Sequence, residues 1–207
     1  MFDRHMRSLI DPPLNWVAKG LAKTPLTANQ LTLLGMVLGL VAAWRVYELD
    51  FGVALLFIAL SRLADGLDGP LARARCENSD FGGYLDILCD FVFYAAIPLA
   101  FAASIPTYAL PAACLLASFL LTGVSHLAFA IHAEKRGLET QAQGQKSFYF
   151  ADGLAEGTET IAAFVFMCLM PQIFPLLAYG YAALCVASAI GRTISARKAF
   201  QAEHPSN

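Results

Sequence analysis

The feature that most limits what this chain can fold into is a succession of apolar stretches, each close to the length of a bilayer crossing. About 20 mostly apolar residues make a helix that spans the hydrocarbon core. Six segments approach that pattern, near residues 28–47, 51–74, 82–104, 107–133, 153–170 and 173–195. The links at Asp50, at 105–106 and at 171–172 are so short that neighbouring helices must run antiparallel. The fifth segment is the weakest, because Glu156 and Glu159 interrupt it. Composition agrees: 57% of residues are hydrophobic and 14% charged, against roughly half and a quarter in soluble domains.

The expected fold is therefore an all-α integral membrane protein, six transmembrane helices preceded by an interfacial amphipathic helix. The expected division is 1–26 for that interfacial helix, 27–198 for the membrane domain and 199–207 for a short tail. The interfacial helix is read from "DPPLNWVAKGLAK", with Asp11 as N-cap and Pro12 in the first turn. Leu14, Val17 and Leu21 share one face of it, and Asn15, Lys19 and Lys23 share another. No stretch of residues 1–26 has the apolar core of a signal peptide. The first span opens with Thr27 and Gln30 at capping-box spacing. It then carries Gly35, Gly39 and Ala43 as a stripe suited to close packing, within the chain or in a homodimer.

Lysine and arginine set the orientation. Arg4, Arg7, Lys19 and Lys23 precede the first span, Arg73 and Arg75 follow the second, Lys135, Arg136 and Lys146 follow the fourth, and Arg192, Arg197 and Lys198 end the sixth. The opposite side has only Arg45. Both termini are thus expected in the cytoplasm. A net charge of −2 speaks against a nucleic-acid partner, which calls for a basic protein. The five cysteines show neither CxxC spacing nor a histidine partner, so they read as small buried hydrophobes.

Against this background, "RLADGLDGPLARARCENSDFGGYLDILCD" at 62–90 stands out for its five aspartates between two oily runs. Asp65, Asp68 and Ala72 share one face of the second span, and Gly82, Asp86 and Asp90 share one face of the third. Packed as a hairpin, the two spans would bring four carboxylates to one cytoplasmic pocket. An aspartate at mid-membrane costs about 2.5–3.5 kcal/mol, and like charges add repulsion. Two divalent cations, Mg²⁺ or Mn²⁺, would relieve both, since all the ligands are oxygens, and could clamp a pyrophosphate. Gly66, Gly69, Gly82 and Gly83 leave backbone open to a ligand, and Arg73 and Arg75 offer charge to phosphate oxygens. The plainer alternative makes the aspartates helix caps or ion-pair partners of Arg62, Arg73 and Arg75. Capping explains neither the i, i+4 pair inside the third span nor the glycines.

From Asp65 to Asp90 the chain reads D-x2-D-G-x2-A-R-x8-G-x3-D-x3-D, with Asp65, Asp68, Gly69, Ala72, Arg73, Gly82, Asp86 and Asp90 at the specified places. This resembles the signature of the CDP-alcohol phosphotransferase family, without departure from it. The resemblance implies that a hydroxyl attacks the β-phosphate of a CDP-linked alcohol and CMP leaves. In bacterial-type members, which sit in the inner membrane and are commonly homodimers, the donor is CDP-diacylglycerol and the acceptor a small polar alcohol. By position, Asp65, Asp68, Asp86 and Asp90 would bind the two metal ions. Gly69, Ala72, Arg73 and Gly82 would line the CDP site, and Asp90 would also be the general base. Asn29 and Thr32 resemble residues found at the start of the first span in the family and would touch the CDP phosphates. No Ser–His or Cys–His pairing suggests a covalent intermediate, so transfer would be direct.

The acceptor is less constrained. Lys146 and Arg192, with Lys135 and Arg136, could hold the phosphate of glycerol 3-phosphate or inositol phosphate. Glu156 and Glu159, near Thr158, resemble a Thr-Glu pair of aminoalcohol phosphotransferases and could take an amine or hydroxyls, such as serine offers. That leaves an alternative: transfer of phosphocholine or phosphoethanolamine from a CDP-aminoalcohol to diacylglycerol. A divalent-cation transporter is the remaining alternative. It would need carboxylates in the outward half of the spans, where only Glu48 and Asp50 of the first loop occur. His126 and His132 read as packing residues.

Overall fold

The computed structural model describes residues 2–135 and 157–201, with side chains from residue 12 onward. Among the described residues there are seven α-helices and no strand. They are α1 (Phe2–Leu21), α2 (Ala28–Tyr47), α3 (Phe51–Arg75), α4 (Asp80–Ser104), α5 (Ala109–Lys135), α6 (Gly157–Leu169) and α7 (Phe174–Gln201). Single 3-10 turns, Pro106–Tyr108 and Pro171–Ile173, lead into α5 and α7. Large apolar side chains such as Leu34, Val37, Trp44, Leu56, Leu120 and Leu176 face outward, as expected where the surroundings are lipid. The protein is a multi-pass membrane protein.

Four helical segments, Ala28–Tyr47, Asp80–Ser104, Pro106–Lys135 and Pro171–Gln201, have both the length and the composition of a bilayer span. α3 has the length but carries Arg62, Asp65 and Asp68 among its first 18 residues. The described part of α6 is 13 residues, about 20 Å. Length and composition alone therefore do not yield the six spans expected.

The expected capping box is present at α2: the Thr27 amide donates to Gln30 Oε1 at 3.0 Å, and the Gln30 amide to Thr27 Oγ1 at 3.2 Å. Asp11 is not an N-cap, because α1 begins at Phe2 and runs through Pro12 and Pro13. Proline removes a donor and an i−4 hydrogen bond but has a helix-compatible φ, so the helix continues through the pair.

The helix order departs from the expected hairpin of the second and third spans. α2 lies between α3 and α4 and packs against both, whereas the α3 and α4 backbones stay apart and meet through side chains such as Arg62 and Asp90. The cause is the small-residue stripe. A Cβ added at Gly35 would sit 3.2 Å from the Ser61 carbonyl oxygen and 3.3 Å from the Asp65 amide nitrogen. One added at Gly39 would lie 2.6 Å from Phe93 Cδ2. The stripe is thus consumed inside the chain and is not a surface for a second copy. Ser61 Oγ locks the α2–α3 contact by donating to the Gly35 carbonyl at 2.6 Å.

The main core gathers Val46, Ile58, Phe93, Phe101, Leu115, Phe164 and Phe174, all buried. Phe174 stacks on Phe101 at 4.3 Å and on Tyr108 at 5.0 Å, and the Tyr108 hydroxyl donates to the Pro171 carbonyl at 2.9 Å. Cys89, Cys168 and Cys185 are buried in the apolar interior, as expected, whereas Cys114 is half-buried and Cys76, in the turn after α3, is exposed. A smaller cluster of Ala18, Leu31, Ala64 and Leu71 seats α1 against α3 at the opposite end of the bundle.

Candidate active site

The start of α2, the end of α3 and the start of α4 enclose a cleft lined by Asn29, Thr32, Asp68, Gly69, Ala72, Glu77, Asn78, Ser79, Gly82 and Asp86. Each wall has a local cause. Cys76 turns the chain out of α3 in the left-handed region, φ 55°, and its amide and that of Glu77 close on the Arg73 and Ala72 carbonyls at 3.2 and 2.9 Å. Ser79 then caps α4 by accepting from the Gly82 amide at 3.1 Å. The bare Cα of Gly82 faces the Asn29 carboxamide: a Cβ there would lie 3.4 Å from Asn29 Oδ1.

Asp65, Asp68 and Asp86 each present an oxygen within 4.8 Å of the others. Oxygen ligands of one octahedral Mg²⁺ or Mn²⁺ at about 2.1 Å are at most about 4.2 Å apart, so small side-chain rotations close the group around one ion. The donor set fits, being all hard oxygen, with its orientation fixed from outside. Thr32 Oγ1 donates to Asp68 Oδ2 at 2.5 Å, and the Gly69 amide to Asp68 Oδ1 at 2.5 Å.

Asp90 stands apart from this trio. Its Oδ1 accepts from Arg62 Nη1 at 2.7 Å, and its Oδ2 faces the Tyr94 hydroxyl at 3.4 Å. The same Arg62 nitrogen reaches Asp65 Oδ2 at 3.3 Å. Ion pairing with Arg62, the plainer alternative, thus holds for Asp65 and Asp90. Arg73 lies at the cleft edge, its guanidinium beside Gly69. Arg75, expected to serve phosphate, instead donates to the Leu21 and Thr24 carbonyls and so caps the C-terminal end of α1.

The acceptor candidates divide. Glu156, Lys146 and Arg136 lie outside the described residues. Glu159 is in the first turn of α6. Arg192 is buried and donates to the Thr122 carbonyl at 3.1 Å and Ser125 Oγ at 2.7 Å. It lines a groove between α5 and α7 with His132 and Thr193 rather than the aspartate cleft. Tyr94 was missed by the sequence reading, although its position four residues after Asp90 on the same helix was the available signal. A Cβ at Gly157 would lie 3.4 Å from the Tyr94 hydroxyl, so the start of α6 also reaches this side of the site.

Residues 25–195 match the CDP-alcohol phosphatidyltransferase family. This chain belongs to that family. It is 44% identical over 186 residues to the inner membrane protein YnjF of Escherichia coli K12, covering 89% of this chain and 90% of that one. To the archaetidylinositol phosphate synthase of Pyrococcus horikoshii it is 37% identical over 92 residues, 44% of this chain and 49% of the other. Among solved structures, Mycobacterium tuberculosis phosphatidylinositol phosphate synthase (PgsA1) with manganese and citrate superposes with a TM-score of 0.70 at 20% identity, covering 88% of each chain. The same synthase with CDP-DAG bound gives 0.65 at 19% identity, over 88% of this chain and 92% of that one. At such identity the likeness is one of fold. As a family member the protein is an enzyme with CDP-alcohol phosphatidyltransferase activity.

Proposed function

We propose that the enzyme moves a phosphatidyl group from CDP-diacylglycerol to the hydroxyl of a small phosphorylated polyol such as inositol phosphate, releasing CMP. The observation that carries the reading is the cleft itself. It joins three carboxylate oxygens within 4.8 Å to Asn29, Gly69, Ala72 and Gly82, where the start of α2, the end of α3 and the start of α4 meet. The positive-inside charge pattern supports a cytoplasmic site, cytoplasmic termini and a bacterial inner membrane. A homodimer remains part of the proposal, through a surface other than the glycine stripe.

Asp65, Asp68 and Asp86 would hold a divalent cation, Mg²⁺ or Mn²⁺, and Asp90 would be drawn toward a second. Bound metal would offset the charge that builds on the phosphate oxygens as CMP departs. Asn29, Gly69, Ala72, Arg73 and Gly82 would cradle the CDP moiety. Asp90 Oδ2, facing away from Arg62, would take the acceptor hydroxyl proton as the new O–P bond forms and the P–O bond to CMP breaks.

The acceptor assignment draws on the names of the archaeal relative and the mycobacterial neighbour, both inositol-phosphate lipid synthases. Glu159 supports a second reading, serine or another amine-bearing acceptor, including the aminoalcohol chemistry. Against a transporter, Glu48 pairs with Arg45 and Asp50 caps α3 by accepting from the Val53 amide at 3.3 Å, which leaves both with structural tasks.

The test is CMP release by the purified protein in nanodiscs, with CDP-diacylglycerol and Mg²⁺ or Mn²⁺ held fixed. Glycerol 3-phosphate, inositol, inositol phosphate, serine, choline and glycerol would be compared. Release driven by inositol phosphate supports the reading; release by serine or choline alone overturns the acceptor. Silence with the donor still bound redirects the chemistry to CDP-aminoalcohols.

A further inference from the structure

Arg62 is held by four neighbours. Its Nη1 contacts Asp90 at 2.7 Å and Asp65 at 3.3 Å, and its Nη2 donates to Ser61 Oγ at 3.1 Å. Ser61 is itself tied to the Gly35 carbonyl at 2.6 Å. The guanidinium carbon lies 4.2 Å from the centre of the Phe93 ring, and Nε is buried without a hydrogen-bond partner among the described residues. Only 11% of the side chain is exposed. A planar cation held by two carboxylates, a ring face and a hydroxyl is preorganised.

That fixed charge sits between Asp65 and Asp90, the two carboxylates a second divalent cation would have to share. The other three-oxygen group, Asp65–Asp68–Asp86, is left open to an ion. We propose that Arg62 is the positioning residue of Asp90, a built-in cation standing where the second divalent ion would bind. On this arrangement, which rests on the metal-assisted reading above, the enzyme holds one divalent ion tightly. A second enters only by competing with the guanidinium, and Arg62 keeps Asp90 aimed into the site meanwhile.

The experiment counts Mn²⁺ bound per chain by electron paramagnetic resonance of free Mn²⁺, with full-length protein in nanodiscs and no CDP-lipid. Wild type, Arg62→Met and Arg62→Lys are compared. Wild type should bind one ion tightly and a second at least 100-fold more weakly. Arg62→Met should tighten the second at least tenfold while lowering kcat for CMP release. Arg62→Lys, a displaceable point charge without the fork, should move the second ion the same way by a smaller factor, and it serves as the test if the methionine variant does not fold. A merely structural ion pair would lower the melting temperature of both variants and leave the Mn²⁺ curve unmoved, which overturns the inference. Two equally tight ions in the wild type overturn it as well, while the metal-assisted reading stands. No bound Mn²⁺ in the wild type sinks both.

Discussion

Thr32 on α2 donates a hydrogen bond from its hydroxyl to Asp68 on α3 across 2.5 Å, so it stands behind a carboxylate, although its place at the start of the first span resembles that of a residue touching the CDP phosphates. A partner behind a ligand sets the ligand's angle, and its loss typically costs 10–100-fold in metal affinity or activity. Thr32→Val keeps the shape and removes the donor. A titration of CMP release against Mn²⁺ should show a requirement raised roughly tenfold or more, with Thr32→Ser close to wild type. Equal curves for valine and serine would return Thr32 to the donor phosphates.

Gly39 sets how closely α2 can approach α4. Its missing Cβ is the space occupied by Phe93, which is fully buried and also sits under Arg62. Gly39→Val should cost about 1–3 kcal/mol through overpacking. It should also ease the entry of a second Mn²⁺, because displacing Phe93 loosens the hold on Arg62. Gly180→Ala is the control: nothing lies within 4 Å of a Cβ there, and alanine favours the helix by up to about 1 kcal/mol. Thermal melting in detergent should separate the two by several degrees in opposite directions.

These two contacts also mark the limit of what the sequence discloses. Element boundaries were legible because they are local. The 28–47 segment is α2 as expected, Thr27 and Gln30 form their box, and the breaks fall at Asp50, 105–106 and 170–171. The aspartate set was legible because spacing on a helix determines a face. Helix order was not. Gly35 and Gly39 announce a close approach without naming the partner, and the short link between α3 and α4 suggested the wrong one. The duty of each arginine was equally hidden, since Arg62, Arg73 and Arg75 look alike in sequence. Only the fold shows one under Phe93, one at the cleft rim and one capping α1.

Removal of divalent cations gives a sharper outcome. With chelator, CMP release should stop, because the uncompensated Asp65, Asp68 and Asp86 repel a pyrophosphate. Mg²⁺ or Mn²⁺ should restore it. Ca²⁺, which takes six to eight ligands at 2.3–2.6 Å, should restore little, given three carboxylates in a compact group. Full activity in chelator would mean that the trio is held by protein cations alone and does not bind metal.

Asp90→Asn isolates the base from the ion group. The carboxamide can still accept from Arg62, so the local packing survives, but it cannot take a proton. General-base loss is worth 10²–10⁴-fold, and the fall should appear in kcat while CDP-diacylglycerol binding persists. Retained turnover would remove Asp90 from the proton transfer and turn attention to other groups near the acceptor.

Glu159→Gln bears on the acceptor itself. Glu159 begins α6, and the same turn brings Gly157 against Tyr94, whose hydroxyl points at Asp90. On the proposed reading, a residue there would meet the incoming alcohol rather than the CDP moiety. The substitution removes charge and keeps size, so the acceptor KM should shift several-fold while the donor KM stays put. If the charge attracts an amine, the variant should lose serine or choline most; if it crowds an anion, phosphorylated acceptors should gain. A change confined to donor affinity would place Glu159 on the CDP side and undo this assignment of α6.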